Sequence, residues 1–250
     1  MNNYIVKQWY NYISSHDLNE KVIFLNYGYI GKDNIILNKS EKKYKTSIQL
    51  YYHAVKNLHL KNKIILEVGS GRGGGANFIT NRWRPKKYYG LDLSENATSF
   101  CKSFYKNPQL EFINGNALDL PFSSNYFDAV LNIESSHTYP SFEKFLKEVY
   151  RVLKPNGTFV LVDHRPKNET KDLLFTIKKN GFLIKTKENI TQNIIKALNY
   201  DSVKKEQLIK NISPFFLTSL FLDFAGVKGS PIYNRFKNEE TLYWKFALKK

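Results

Sequence analysis

Five short apolar runs recur between residues 63 and 163, and stretches with helical spacing separate them. Four of the five show little of the apolar–polar alternation that marks a half-exposed strand. They therefore predict strands that are buried on both faces of a parallel sheet. The predicted strands are 63–69, 88–93, 110–115, 127–133 and 157–163.

A predicted helix connects the last two of these strands. Residues 142–153 repeat apolar side chains at steps of three and four, and the pattern stops before Pro155-Asn156-Gly157. Strands that alternate with helices predict an α/β, doubly wound fold, whose ligands bind at the carboxyl ends of the strands.

The ends of the chain predict additions to this core within one domain. Helical spacing occurs before residue 60, and an aromatic, helical segment precedes the apolar run at 241–249. We expect the chain, 1–250, to divide into an N-terminal helical lid (1–60), a core (61–188), a helical insertion (189–238) and a last strand (239–250).

Composition limits the partners that we expect. The chain of 250 residues carries a formal charge of +16, which favours nucleic acid, anionic lipid or an acidic carrier. Its lysines are scattered, however, so we favour a general bias in composition and expect no nucleic-acid partner. Cys101 is the single cysteine, which suits a reducing cytoplasm. Polar residues interrupt the longest apolar stretch, Phe215–Val227, so we predict no membrane span.

The first predicted strand runs into a glycine-rich turn at residues 69–75. Glycines let the chain turn tightly and let a ligand approach the backbone. Their spacing also fits dinucleotide binders, and Asp92 could hydrogen-bond a ribose in either case. Glu67 argues against a dinucleotide, because its carboxylate would repel the pyrophosphate. It favours instead the cationic ammonium and sulfonium groups of S-adenosylmethionine.

Four segments together resemble the class I S-adenosylmethionine-dependent methyltransferases: E-V-G-S-G-x-G, G-L-D-L-S, G-N-A-L-D-L-P-F and R-V-L-K-P-N-G. The resemblance covers about 63–165 and implies a Rossmann-like, mostly parallel seven-stranded sheet with an antiparallel last strand. It implies that Asp92 takes the ribose hydroxyls and that Asn116, where the family commonly has Asp, faces the adenine with Ala117. The residues expected to bind the cofactor are Glu67, Gly69, Ser70, Gly71, Gly73, Asp92, Leu93, Asn116, Ala117 and Asn132.

Three further segments narrow the resemblance. G-G-G-A-N-F-I, N-I-E-S-S-H-T-Y-P at 132–140 and F-A-G-V-K-G-S near 224–230 look like bacterial natural-product and lipid methyltransferases. These include enzymes similar to phthiotriolone dimycocerosate and fatty-acid O-methyltransferases. The resemblance implies a small hydrophobic acceptor, such as a lipid, a polyketide or another natural product, in secondary metabolism.

His137 follows the fourth predicted strand, where an acceptor would meet the transferred methyl group. Because methylation of a hydroxyl requires removal of a proton, we expect His137 to act as general base, with Glu134 as its partner. The lid and the insertion are expected to roof the acceptor pocket, with Tyr27, Tyr139, Phe216 and Phe221 in its wall. His16, His53, His59 and His164 show no ligand spacing, and no metal is predicted.

Two other functions stay open from the sequence. One is methylation of RNA or protein, favoured by the charge, although strand four lacks the N/D-P-P-Y/F signature of base amino-group methylation. The other is a non-catalytic or repurposed S-adenosylmethionine-binding protein, since a fold does not determine a function. The acceptor, the methylated atom and the pathway are open, and a homodimer is possible.

Overall fold

The computed structural model describes residues 22–250. Its strands are β1 (Ile64–Val68), β2 (Lys87–Asp92), β3 (Leu110–Asn114), β4 (Phe127–Ile133), β5 (Leu153–Pro166), β6 (Leu183–Asn189) and β7 (Thr241–Lys249). Its α-helices are α1 (Lys45–Val55), α2 (Gly74–Trp83), α3 (Glu95–Phe104), α4 (Phe142–Val152), α5 (Thr170–Lys179), α6 (Thr191–Ile212), α7 (Thr218–Phe224) and α8 (Pro231–Lys237). Short 3₁₀ turns occupy Lys42–Tyr44, Ser136–Thr138, Lys167–Glu169 and Phe215–Leu217.

The strands form one sheet in the order β3-β2-β1-β4-β5-β7-β6. Strands β1 to β5 run parallel, and β7 is antiparallel to both of its neighbours. The predicted Rossmann-like sheet with an antiparallel last strand is therefore confirmed. Because the strand order reverses at β1, a crevice opens above the carboxyl ends of β1, β2 and β4, where such folds bind ligands.

Apolar side chains cover both faces of the central strands. In β1, Ile65 packs into one buried cluster with Val55, whereas its neighbour Leu66 packs into another with Val149. Successive side chains of a strand point to opposite faces, so a strand covered by helices on both sides needs an unbroken apolar run. This explains why the sequence shows runs rather than alternation.

The connection from α4 to β5 differs from the predicted turn. The helix ends at Val152, and Leu153 already pairs with Phe127 of β4. The next pairing in the ladder joins Ala129 to Thr158, so the intervening residues bulge out of the strand. Burial of Leu153 against the core starts the strand before the Pro-Asn-Gly segment.

The segment before α1 also differs from the prediction of a helical lid over 1–60. Residues 22–41 contain no helix, and residues 1–21 lie outside the described part of the chain. The backbone of this segment bonds to other elements, since Gly74 donates to the carbonyl of Ile23 and Tyr29 donates to that of Thr46. We call residues 22–31 the strap, because they cross the carboxyl edge of the sheet.

The 190–238 segment is helical and contains α6, α7 and α8. Within residues 22–250, no helix combines the length and the apolar character that crossing a bilayer requires.

Candidate active site

The glycine turn brings backbone to the carboxyl end of β1. Gly69 has a φ of +79°, and a Cβ there would lie 2.0 Å from Oγ of Ser135. Gly71 has a φ of +52°, and a Cβ there would meet nothing closer than the Leu25 side chain at 3.8 Å. Gly69 thus permits a close approach of two loops, whereas Gly71 faces open space that a ligand can fill.

Asp92 ends β2 beside this turn. One carboxylate oxygen accepts a 2.8 Å hydrogen bond from the Gly71 N–H, and the other accepts a 2.9 Å bond from that of Ser94. Burial raises the pKa of Asp92, while these two N–H groups oppose that shift. Each oxygen has a further lone pair, so the carboxylate can also accept hydrogen bonds from ribose hydroxyls.

A cavity of about 800 Å³ opens over the strand ends. Five of the residues predicted to bind the cofactor line it: Gly69, Asp92, Leu93, Asn116 and Ala117. Ser70 and Gly71 line a smaller cavity that shares Gly69 and Leu25 with the first. These seven residues therefore line two neighbouring cavities, and their roles stay predictions.

Glu67, Gly73 and Asn132 line neither cavity, so the structure places them beside the site rather than in it. The Glu67 carboxylate is fully buried and accepts hydrogen bonds from the hydroxyls of Tyr51 (2.7 Å) and Tyr88 (2.9 Å). Burial raises its pKa to about 7. Its side chain points to the same face as Ile65 and therefore into the helix layer rather than the turn.

The other two residues support the turn by packing. A Cβ on Gly73 would meet the rings of Phe112 and Tyr105 below 3 Å. The Asn132 amide donates to the Val68 carbonyl and to Oγ of Ser135, both at 2.9 Å. Asn132 thus ties the end of β1 to the loop after β4.

The surroundings of the turn fit S-adenosylmethionine. Gly71 leaves an open cradle, Asp92 offers acceptors for the ribose, and Asn116 with Ala117 forms the adjacent wall. The Ser70 hydroxyl is buried and has no hydrogen-bond partner among the described residues, so it is available to a ligand. These features fit the cofactor, and its position in this half of the cavity stays a prediction.

His137 lies in the other half of the cavity, and Asp163 holds its ring. Nδ1 of His137 lies 2.7 Å from Oδ1 of Asp163, at the end of β5. The other oxygen of Asp163 accepts hydrogen bonds from the Ser136 hydroxyl and the His137 N–H, and it pairs with the Arg165 guanidinium at 3.0 Å. Although burial raises the pKa of Asp163, His137 and Arg165 hold it well below its usual range.

Glu134 is not the partner of His137, which corrects the predicted pairing. Its carboxylate accepts from the Tyr27 N–H at 2.8 Å and from the Tyr243 hydroxyl at 2.6 Å. A φ of +50° turns the chain at Glu134 toward the strap, so the two side chains diverge. Burial raises the pKa of Glu134 to about 8.

Sequence reasoning missed Asp163, His164 and Arg235. The ring centroid of His164 lies 4.1 Å from that of His137, and both line the cavity with Arg235. Burial holds the pKa of His164 well below its usual value, so its ring is neutral. The sequence feature that could have identified Asp163 and His164 is the polar run Asp163-His164-Arg165. It lies at the end of an apolar strand that pairs with β4, so its side chains reach the same edge of the sheet.

Tyr27 and Tyr139 line the cavity, whereas Phe216 and Phe221 do not, which corrects two of the predicted pocket residues. Phe216 faces solvent. Phe221 is buried against Ile209 and Val227 inside the insertion, because α7 turns it toward α6. The sequence did not distinguish the exposed ring from the buried one, because both lie in one apolar stretch.

His137, Asp163 and His164 also place potential metal-ligand atoms within 4.8 Å of one another. Arg165 lies 3.0 Å from the Asp163 carboxylate, and its positive charge disfavours a cation there. The absence of a metal stays a prediction.

Comparisons with known proteins agree with this geometry. Residues 66–161 match the family described as methyltransferase domain. The chain is 32% identical to the phthiotriol/phenolphthiotriol dimycocerosates methyltransferase of Mycobacterium tuberculosis, over 98% of this chain and 91% of that protein. It is also 32% identical to the fatty-acid O-methyltransferase of Mycolicibacterium smegmatis, over 96% of this chain and 88% of that protein.

A solved structure shares the fold. Geranyl diphosphate C-methyltransferase from Streptomyces coelicolor A3(2), in complex with Mg²⁺, geranyl diphosphate and S-adenosyl-L-homocysteine, superposes with a TM-score of 0.68. The match covers 96% of this chain and 97% of that one, at 15% identity. The sheet, the glycine turn and the full-length relatives lead to one assignment: the chain belongs to the S-adenosyl-L-methionine-dependent methyltransferases, and S-adenosyl-L-methionine is its cofactor.

Proposed function

We propose that the enzyme methylates a hydroxyl group of a small hydrophobic acceptor, with His137 as general base. The observation that carries this proposal is the 2.7 Å contact between Nδ1 of His137 and Oδ1 of Asp163. With Nδ1 donating to the carboxylate, Nε2 keeps its lone pair, and no residue within 22–250 bonds to it. A base oriented by a buried carboxylate is the arrangement that general-base catalysis uses.

The residues around His137 suit a proton transfer. S-adenosylmethionine, when bound, supplies an electrophilic methyl group on its sulfonium sulfur. His137 takes the hydroxyl proton, and the buried Asp163 stabilises the positive charge that forms on the ring. Ser136 holds Asp163 in place through a hydrogen bond, and Arg165 does so through an ion pair. His164 is neutral and packs on the same ring, so it adds no repelling charge.

The walls near His137 favour an apolar acceptor. Tyr27 from the strap and Phe224 and Ile232 from the insertion line the same cavity as His137. Such walls exclude water and hold an alkyl or polyketide chain by burial. The relatives are named for lipid substrates, dimycocerosates and fatty acids, which supports the same class of acceptor here.

The test compares two histidine variants on two acceptors. Transfer of labelled methyl from S-adenosylmethionine is measured to decanol, which must lose a proton, and to decanoate, which is already ionised. We expect His137→Gln to lower turnover of the alcohol by roughly 10²–10⁴-fold. Affinity for S-adenosylhomocysteine should stay unchanged, since the cofactor half of the cavity is intact.

His59→Gln is the matched control, because His59 is exposed on the surface away from the cavity. It should behave as the wild type on both acceptors. If decanoate is methylated and His137→Gln leaves its rate unchanged while decanol is inert, the acceptor is a carboxylate and His137 is not a base.

We also propose a cytoplasmic location, since the chain has a single cysteine, Cys101, and so no internal disulfide. A homodimer stays a prediction. Methylation of RNA or protein is less well supported than methylation of a small molecule, because the full-length relatives are named for lipid substrates.

A further inference from the structure

Two consecutive phenylalanines protrude from the insertion. Phe215 and Phe216 lie in the 3₁₀ turn between α6 and α7 and are 97% and 82% exposed. Full burial of such a ring is worth about 1.5–3 kcal/mol, so two adjacent exposed rings leave considerable apolar surface in water. Exposed apolar surface that is grouped in this way marks a contact site.

The solvent face of α6 carries two further exposed apolar side chains. Tyr200 and Val203 are each 67% exposed and lie three residues apart, which places them on one side of the helix. Exposed Lys204 follows them, and exposed Lys210, which pairs with Glu206 at 2.6 Å, lies in the last turn of α6, five residues before Phe215. We call these residues the α6–α7 surface: Tyr200, Val203, Lys204, Lys210, Phe215 and Phe216.

We propose that the α6–α7 surface docks on an anionic lipid bilayer. Aromatic side chains at an exposed turn insert at the level of the lipid headgroups, and flanking lysines attract anionic headgroups. Residues 190–238 carry seven basic side chains against three acidic ones, and the whole chain carries +16. Charge and apolar exposure therefore point to the same partner, which a neutral or cationic protein surface does not match.

The α6–α7 surface lies close to the cavity, so docking would bring the cavity near the bilayer. Helix α7 runs from the exposed pair to Phe224, which lines the cavity with Asp223. Seven helical residues span about 10 Å. A bilayer at the α6–α7 surface therefore lies about one short helix from the cavity wall, and a lipid-like acceptor can pass from it to His137. The passage of an acceptor from the bilayer to His137 rests on the proposed function, whereas the docking of the surface on the bilayer does not.

The test is sedimentation of the full-length protein with vesicles. Vesicles of equal parts phosphatidylglycerol and phosphatidylcholine are compared with vesicles of phosphatidylcholine alone. We expect binding to the anionic vesicles that weakens as salt is added. The variant Phe215→Ser with Phe216→Ser should weaken this binding roughly 10- to 100-fold. Because both rings are exposed, the variant should fold normally, which circular dichroism checks.

Phe175→Ser is the matched control, because Phe175 is 67% exposed on α5, outside the α6–α7 surface. It should bind vesicles like the wild type. A second measurement uses Phe216→Trp, whose fluorescence should shift to the blue with anionic vesicles by more than that of the wild type.

Three outcomes overturn the proposal. The first is binding that the double serine variant does not weaken. The second is equal binding to both vesicle types, which removes the role of charge. The third is a concentration-dependent dimer that the double variant abolishes, without vesicle binding, which assigns the surface to a second copy of this chain. None of these depends on whether His137 is a base.

Discussion

Tyr51 on α1 donates a 2.7 Å hydrogen bond to the Glu67 carboxylate on β1. Tyr88 on β2 donates to the second oxygen of the same carboxylate at 2.9 Å. The group is fully buried without a cationic partner among the described residues, and burial raises its pKa to about 7. A helix and two strands therefore meet at an acid whose pKa burial raises to about 7.

This burial makes stability depend on pH. Between the usual glutamate pKa of 4.5 and about 7, the folded state binds more protons at Glu67 than the unfolded state. The contribution of Glu67 to the free energy of unfolding is therefore fully present below pH 4.5. It is lost as the pH rises through 7, and the loss is about 3 kcal/mol at most. Glu67→Gln should remove this loss, which urea unfolding at pH 5 and pH 8 measures. Glu111→Gln, at an exposed position, should keep it. Equal pH dependence in the Glu67 variant and the wild type would contradict the pKa.

Asp163 should be needed for turnover but not for cofactor binding. Asp163→Asn keeps the size of the side chain but removes the charge that orients and stabilises the His137 ring. We expect turnover of an alcohol acceptor to fall roughly 10²–10⁴-fold, with unchanged calorimetric affinity for S-adenosylhomocysteine. Asp172→Asn, on the exposed side of α5, serves as control. A fall in affinity equal to the fall in turnover would make Asp163 a structural residue only.

Cofactor affinity should depend on the glycine turn and Asp92. Asp92→Asn removes the charge that receives the ribose hydroxyls and should cost about 1–3 kcal/mol of binding. Gly71→Val fills the open cradle and places a branched residue at a φ of +52°, so it should abolish binding. Calorimetric titration with S-adenosylhomocysteine measures both. Unchanged affinity in both variants means that the cofactor binds elsewhere.

Truncation of two phenylalanines that lie five residues apart should change the free energy of unfolding by very different amounts. Phe221→Ala opens a hole between α6 and α7 and should cost about 3–5 kcal/mol of unfolding free energy. Phe216→Ala removes an exposed ring and should change it by less than about 0.5 kcal/mol. Thermal unfolding of both variants gives the comparison, and similar losses would place Phe216 in the core.

The sequence predicted the sheet well because each central strand must be apolar on both faces, as Ile65 and Leu66 show. It also predicted where Asp92 and Asn116 lie, since Asp92 ends β2, Asn116 follows β3, and the ends of these strands share one edge of the sheet. The sequence did not predict that the Glu67 carboxylate points into the helix layer, because a motif does not specify the direction of a side chain. It failed for Glu134 because the left-handed turn there depends on the strap, 107 residues earlier.

The partner of His137 could not be chosen by proximity in sequence. Glu134 lies three residues away and Asp163 lies 26 away, but strand pairing brings the end of β5 beside the end of β4. Neighbouring strands in space determine which acid reaches the ring. An acid at the end of the adjacent strand is therefore a better candidate than one in the same loop.

The helical insertion joins β6 to β7, two antiparallel neighbours at the far edge of the sheet. Exchanging this segment for another changes one connection at that edge and leaves every hydrogen bond among the five parallel strands in place. Under the proposed function, the exchange would alter the part of the acceptor wall that Phe224 and Ile232 supply, while Gly69 and Asp92 keep their places at the ends of the parallel strands. We therefore expect a change of acceptor to need substitutions at this edge of the sheet and none among the parallel strands.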